Sequence, residues 1–188
     1  MVDLKAGDIF VVAPPKGHSN FASNLIVSIC SLHDVDCRVQ ASHAGIILDD
    51  KGTTFEAIEP RYCQQNIWEA YAGCQILIGR HKDMSPYRAQ EGWQAVSYLE
   101  GMSYPEWRLP LFRWGSYWAR TIHAPMDMQP RMVCSEKVMR YLAAGGCRKN
   151  ENYGPIDYWF GVDPAYIENA INGWRLIDVI LNTFKEKE

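Results

Sequence analysis

Ser42-His43-Ala44-Gly45-Ile46-Ile47-Leu48-Asp49-Asp50-Lys51-Gly52-Thr53-Thr54-Phe55-Glu56-Ala57-Ile58 is the stretch that decides how this chain folds. Ala44 to Leu48 is apolar, Asp49-Asp50-Lys51-Gly52 is turn chemistry, and Thr53 to Ile58 is rich in β-branched and aromatic residues. A run, a turn and a second run of this kind predict a β-hairpin. With Asp49 to Gly52 as the loop, Leu48 faces Thr53, Gly45 faces Glu56 and His43 faces Ile58. Side chains alternate along a strand, so His43, Gly45, Glu56 and Ile58 project from one face. Glu56 is then a diagonal neighbour of His43, within reach of a long side chain. Gly45, opposite Glu56, is expected to leave room for the carboxylate to lean toward the imidazole. A one-residue slip would bring Glu59 to that face instead. The plainer alternative places both glutamates on a solvated hairpin face.

On either side of the hairpin the chain alternates short strands and helices. Residues 4–13 hold a Gly7-Asp8 turn and then an apolar, β-branched run, which reads as a buried strand ended by Pro14, Pro15 and Gly17. Residues 19–31 carry Leu25, Ile26 and Ile29 at helical spacing, and Cys74 to Gly79 reads as a further strand. Ser85-Pro86 is an N-cap followed by proline at the first helical position. Trp93, Val96 and Leu99 give that helix a buried stripe, and Gly101 is placed to end it. A helix from 134 to 144, with Val138, Tyr141 and Leu142 on one face, closes at Gly145-Gly146. Residues 102–130 are irregular and aromatic-rich, an embellishment on a single domain covering 1–188. Asp163-Pro164 opens a C-terminal helical segment over about 163–184, within which the apolar run 174–180 suits helix or strand. The expected class is α+β, a small antiparallel sheet or barrel packed against helices.

Composition narrows the function classes. The chain has 188 residues, 47% of them hydrophobic, with a formal charge of -3 and no long run of like charge. That distribution is unlike the basic footprint of a nucleic-acid binder, so no nucleic-acid partner is expected. No apolar stretch is long enough to span a bilayer, so stable membrane insertion is not expected either. The N-terminal residues lack a basic run followed by an apolar one. A cytoplasmic protein, or one delivered without a signal peptide, is therefore expected. Six cysteines (30, 37, 63, 74, 134 and 147) are too few for a disulfide scaffold of this size and fit thiols in a reducing compartment.

One of those cysteines is placed for chemistry. Cys134 stands where a helix begins, and backbone N–H groups at a helix N-terminus lack intrahelical partners. Together with the helix dipole they favour a thiolate and can hold the oxyanion of an acyl-transfer intermediate. A buried structural cysteine is the alternative for this feature alone. A thiol nucleophile needs an imidazole within hydrogen-bond reach. Of the histidines at 18, 33, 43, 81 and 123, His43 opens an apolar strand and is held with one edge free. The other four lie in polar or irregular surroundings and read as surface residues. An imidazole base in turn needs a third group to fix its tautomer, and the hairpin offers Glu56 for that role, or Glu59 under the alternative register.

Gly7-Asp8-Ile9-Phe10, Ser42-His43-Ala44-Gly45-Ile46, Phe55-Glu56-Ala57 and Cys134-Ser135-Glu136-Lys137-Val138 together resemble the circularly permuted branch of the NlpC/P60 papain-like superfamily, the YiiX-like permuted amidases and peptidases. In that branch the histidine strand precedes the cysteine helix, the reverse of the papain order. Gly101-Met102-Ser103-Tyr104 is similar to the Gly-x-x-Tyr element between them. The resemblance spans about residues 4–145. It implies a permuted papain-like fold and a catalytic Cys134, His43 and Glu56. Two features depart from the pattern. Lys137 stands where the family usually has an aliphatic residue, and the aromatic stretch 105–125 has no counterpart. The lecithin-retinol acyltransferase-like branch usually carries Asn-Cys-Glu-His, which Val133-Cys134-Ser135-Glu136 lacks.

The expected function is thus a cysteine-dependent amidase or peptidase. Its substrate would be a small peptide, a peptidoglycan fragment or an acyl-amide such as an N-acyl lipid. No cofactor and no metal ion are expected. An acyltransferase using the same acyl-enzyme is one rival. Another is a non-catalytic binding module with an aromatic cleft across Trp107, Trp114, Tyr117 and Trp118. A zinc site on Cys30-x2-His33-x3-Cys37 is a third, short of the usual four ligands.

Overall fold

The computed structural model of the protein describes residues 3–13, 41–105 and 132–147, together with the backbone of 175–181. The helix expected at 19–31, the trio Cys30, His33 and Cys37, the aromatic residues 107–118 and the segment 163–174 lie outside the described residues.

Six strands form one antiparallel sheet: β1 (Ile9–Ala13), β2 (His43–Ile47), β3 (Thr53–Ile58), β4 (Arg61–Asn66), β5 (Gln75–Arg80) and β6 (Arg175–Leu181), in the order β4-β3-β2-β1-β5-β6. The first and last strands of that order do not pair with each other, so among the described residues the sheet is open rather than a closed barrel. Three helices among the described residues accompany it: α1 (Ile67–Ala70), α2 (Pro86–Val96), continued by a 3-10 turn over Ser97–Leu99, and α3 (Cys134–Ala144). The class is α+β.

The β2–β3 hairpin takes the register its loop requires, with Ile46 opposite Phe55 and Ile47 opposite Thr54. Asp49 fastens the loop by accepting from the Lys51 and Thr53 N–H groups at 3.0 and 2.9 Å. Within the segment expected to be helical, the run that suits helix or strand is a strand, β6, over Arg175 to Leu181. Its run Leu176-Ile177-Asp178-Val179-Ile180 is mostly β-branched, and it pairs with the outer edge of β5 from Gln75↔Leu181 to Arg80↔Arg175. Periodicity alone does not separate strand from helix in so short a run, and an unpaired sheet edge favours the strand.

The two faces of the sheet carry separate cores. Ile9, Val11, Ala44, Ile46, Phe55, Ala57 and Tyr62 face α2 and α3. Phe10, Val12, Ile47, Ile76 and Ile78 face the other way, toward Leu4, Ile67, Trp68 and Tyr71. Alternation along a strand makes β1 apolar at every position, because it serves both cores. Ser85 caps α2 by accepting from the Arg88 N–H, and Pro86 follows at the first turn. α2 and α3 approach closely at Gly92, where a Cβ would lie 2.7 Å from the Tyr141 carbonyl oxygen.

The start of α3 is fixed from two sides. The Glu136 carboxylate reaches back to accept from the Val133 N–H at 3.1 Å. The Tyr62 hydroxyl, from β4, accepts from the Met132 N–H at 2.6 Å and donates to the Met132 carbonyl. Both bonds are buried, so the residue that opens the helix is held against the sheet.

Candidate active site

His43 is the first residue of β2, and Glu56 lies on the neighbouring strand two places along the diagonal. His43 Nε2 is 2.7 Å from Glu56 Oε2. Glu59 lies exposed in the turn between β3 and β4. The reason for Gly45 differs from the expected one. A Cβ there would come within 2.3 Å of the Phe10 ring, so the missing side chain admits Phe10 rather than the carboxylate. The Phe10 ring then lies 6.4 Å from the imidazole and 5.8 Å from the Tyr71 ring, walling this side of the site.

Glu56 is fully buried, and both its oxygens are bonded. Oε2 receives His43 and the Tyr71 hydroxyl. Oε1 accepts from Thr54 Oγ1 at 2.6 Å and from Gln65 Nε2 at 2.7 Å. Burial by itself would raise this carboxyl. The His43 hydrogen bond and charge, with the Thr54 and Tyr71 donors, outweigh it and hold the group down at about 2. A carboxylate so held is a fixed negative charge beneath the imidazole.

On its other edge the imidazole meets Cys134, the first residue of α3, through a side-chain hydrogen bond. Because Nε2 is engaged by Glu56, Nδ1 is the nitrogen left for the sulfur. Burial would push the Cys134 thiol up. The His43 hydrogen bond and charge, the Ala44 N–H and the charge of Lys137 together bring it below its ordinary value. Burial would likewise lower His43, but its bonds to Cys134 and Glu56 lift it to about 9. Both shifts favour one arrangement, a thiolate beside an imidazolium. The Cys134 backbone N–H donates to the Tyr104 hydroxyl, which partners one of the N–H groups the helix start leaves open. Cys134 itself is 3% exposed, and the His43 side chain 14%.

The remaining expected residues divide. His81 is not a surface residue. It is 3% exposed at the end of β5, where its Nδ1 accepts from the Asp83 N–H at 3.1 Å. Its polar neighbours in sequence concealed that they fold back over it. His18, His33 and His123 lie outside the described residues. Cys63, Cys74 and Cys147 are free thiols, and no cluster of three metal-ligating side chains occurs among the described residues. A cavity of about 480 Å³ lies between α2 and the sheet, with Leu48, Gln64, Trp93 and Tyr141 in its wall and none of the three site residues.

Four residues that complete the geometry were not legible as site residues: Thr54, Gln65, Tyr71 and Lys137. Thr54 could have been found, because it stands two places before Glu56 on the same strand face. Gln65 required the β3–β4 register, in which it pairs with Thr54. Tyr71 follows α1 and no local pattern points it at Glu56.

Comparison of the chain with family models, with curated proteins and with solved structures returns no match. No helix among the described residues is long and apolar enough to cross a membrane.

Proposed function

We propose that this protein is a cysteine-dependent hydrolase of amide bonds, with Cys134 as nucleophile, His43 as base and Glu56 as the group that orients it. The observation that carries the reading is the position of one imidazole. It is bonded on one edge to a thiol at a helix start and on the other to a buried carboxylate. That arrangement is the general form of a nucleophile, base and orienting group. The resemblance to permuted NlpC/P60 amidases agrees with it and suggests the permuted papain-like fold.

In this mechanism the Cys134 thiolate attacks the amide carbon and the carbonyl oxygen takes the negative charge. The Tyr104 hydroxyl, which accepts from the Cys134 N–H and has a proton of its own to donate, is the donor we assign to that oxyanion. The His43 imidazolium gives its proton to the nitrogen as the C–N bond breaks, releasing the amine and leaving a thioester. His43, now neutral, takes a proton from water, which attacks the thioester and frees the acid and the thiolate. Glu56 remains ionised throughout and keeps Nε2 as the protonated nitrogen. A small peptide, a wall-peptide fragment or an N-acyl lipid all present the required amide.

Iodoacetamide labelling at neutral pH, followed by peptide mass mapping, tests the reading. Cys134 should be alkylated ahead of the other five cysteines. In His43→Ala the rate at Cys134 should fall by roughly tenfold or more, because the thiol returns toward its ordinary value. A wild-type protein whose fast-labelling site survives unchanged in Cys134→Ala would overturn the assignment.

A further inference from the structure

Lys137 stands three residues beyond Cys134 on the same side of α3, fully buried. Its Nζ donates to the Phe55 carbonyl and lies 4.6 Å from the centroid of the Phe55 ring. The next residue along β3 is Glu56. Lysine is almost never fully buried without a partner, and an aliphatic residue would fill the same volume without the cost of desolvating an amine. The position therefore keeps an amine against its packing preference.

We propose that the Lys137 ammonium is a positioning charge of the active site, the fourth member of a buried set in which it balances the Cys134 thiolate. The inference rests on Cys134 being the nucleophile. Its basis is charge balance. Glu56 and His43 form one buried ion pair at 2.7 Å, and ionising Cys134 adds a second negative charge to the same dry region. With Lys137 charged, two negative and two positive groups sum to zero. Without it the thiolate form leaves a net negative charge in the interior, which is costly. The titratable groups around Lys137 are Cys134 on its own helix, with His43 of β2 beyond it, Glu56 on β3 and Cys63 on β4. α2 brings the Trp93 ring, edge-on to Phe55. Burial lowers Lys137 to about 7, with Glu56, Cys134 and Cys63 pulling the other way. It is thus charged below about 7, where it can balance a thiolate.

The test is the pH dependence of Cys134 alkylation in wild type and Lys137→Met, from about pH 4 to 9, with thermal melting as a control for folding. The midpoint should move up by about one pH unit in Lys137→Met. A purely structural lysine would change the melting temperature and leave the midpoint in place, and that result overturns the inference. Should Lys137→Met not fold, the wild type supplies the reciprocal measurement. In protein with carbon-13 at the lysine ε position, capping Cys134 with iodoacetamide removes the thiolate charge and should lower the Lys137 titration midpoint. An unmoved midpoint overturns the inference by this route as well. Loss of selective Cys134 labelling in the wild type would instead overturn the nucleophile itself, so the two failures are distinguishable.

Discussion

Glu56 and Lys137 are both fully buried ionisable groups beside the same thiol, and they respond to burial in opposite ways. Glu56 receives four side-chain partners, two on each oxygen, and is held at about 2. Lys137 has three protons to donate and meets, among the described residues, one carbonyl and one aromatic ring. It falls to about 7. Depth is the same in the two cases. What differs is how far hydrogen bonds replace the lost water, and that decides whether a buried group behaves as a fixed charge or as one that titrates.

The largest loss is expected from Glu56→Ala. The change leaves the imidazolium without its counter-charge and takes one acceptor from each of the Tyr71, Thr54 and Gln65 donors. Removing one partner of a buried pair typically costs about 3–5 kcal/mol. Urea denaturation at neutral pH should show a loss of that order, and alkylation of Cys134 should slow with it. A loss near that of a surface substitution would mean the donors re-pair and the carboxylate is not the centre of the network.

The pH dependence of stability separates the two groups next. Glu56 is depressed from 4.5 to about 2, so its contribution is full above 4.5 and is lost as pH falls through about 2. His43 is raised from 6.5 to about 9, so its contribution is full below 6.5 and is lost as pH rises through about 9. Lys137 is a base depressed from 10.5 to about 7, which is a penalty below 7 that is relieved as pH climbs toward 10.5. On the alkaline side the His43 and Lys137 slopes therefore oppose each other. Lys137→Met removes the opposing slope. Its stability by urea denaturation should exceed wild type at neutral pH and decline more steeply between about pH 7 and 10. Parallel curves for the two proteins would show that Lys137 titrates alike in the folded and unfolded states and is not depressed by its burial.

Much of this arrangement was readable before the fold. A four-residue loop fixed the β2–β3 register, and the register put His43 and Glu56 on one face. Cys134 was readable as a helix start, since an apolar stripe at helical spacing and a closing Gly145-Gly146 bound the helix. What escaped was long-range. Tyr71 and Gln65 reach Glu56 only after β4 has folded back on β3. The Phe10 ring behind Gly45 comes from β1, a different strand, and cross-strand packing carries no local signature. Strand β6 was not decidable locally, since a short apolar run suits helix or strand and its pairing depends on an edge that the rest of the sheet leaves open.

The smallest expected effect is the most direct probe of redundancy around Glu56. Thr54 Oγ1 donates to Glu56 Oε1 at 2.6 Å and also lies 3.1 Å from the Gln65 carbonyl, so its single proton serves two acceptors. Thr54→Val keeps the branched shape and puts a methyl in place of the hydroxyl. Oε1 still receives Gln65 Nε2, and Oε2 still receives His43 and Tyr71. The loss should be that of one net hydrogen bond, about 1 kcal/mol by urea denaturation. The alkylation rate of Cys134 should change little, because the His43–Glu56 contact uses the other oxygen. A loss approaching that of Glu56→Ala would mean the four partners act as one cooperative unit. In that event the contrast with Lys137 lies in the coupling among donors and not in their number.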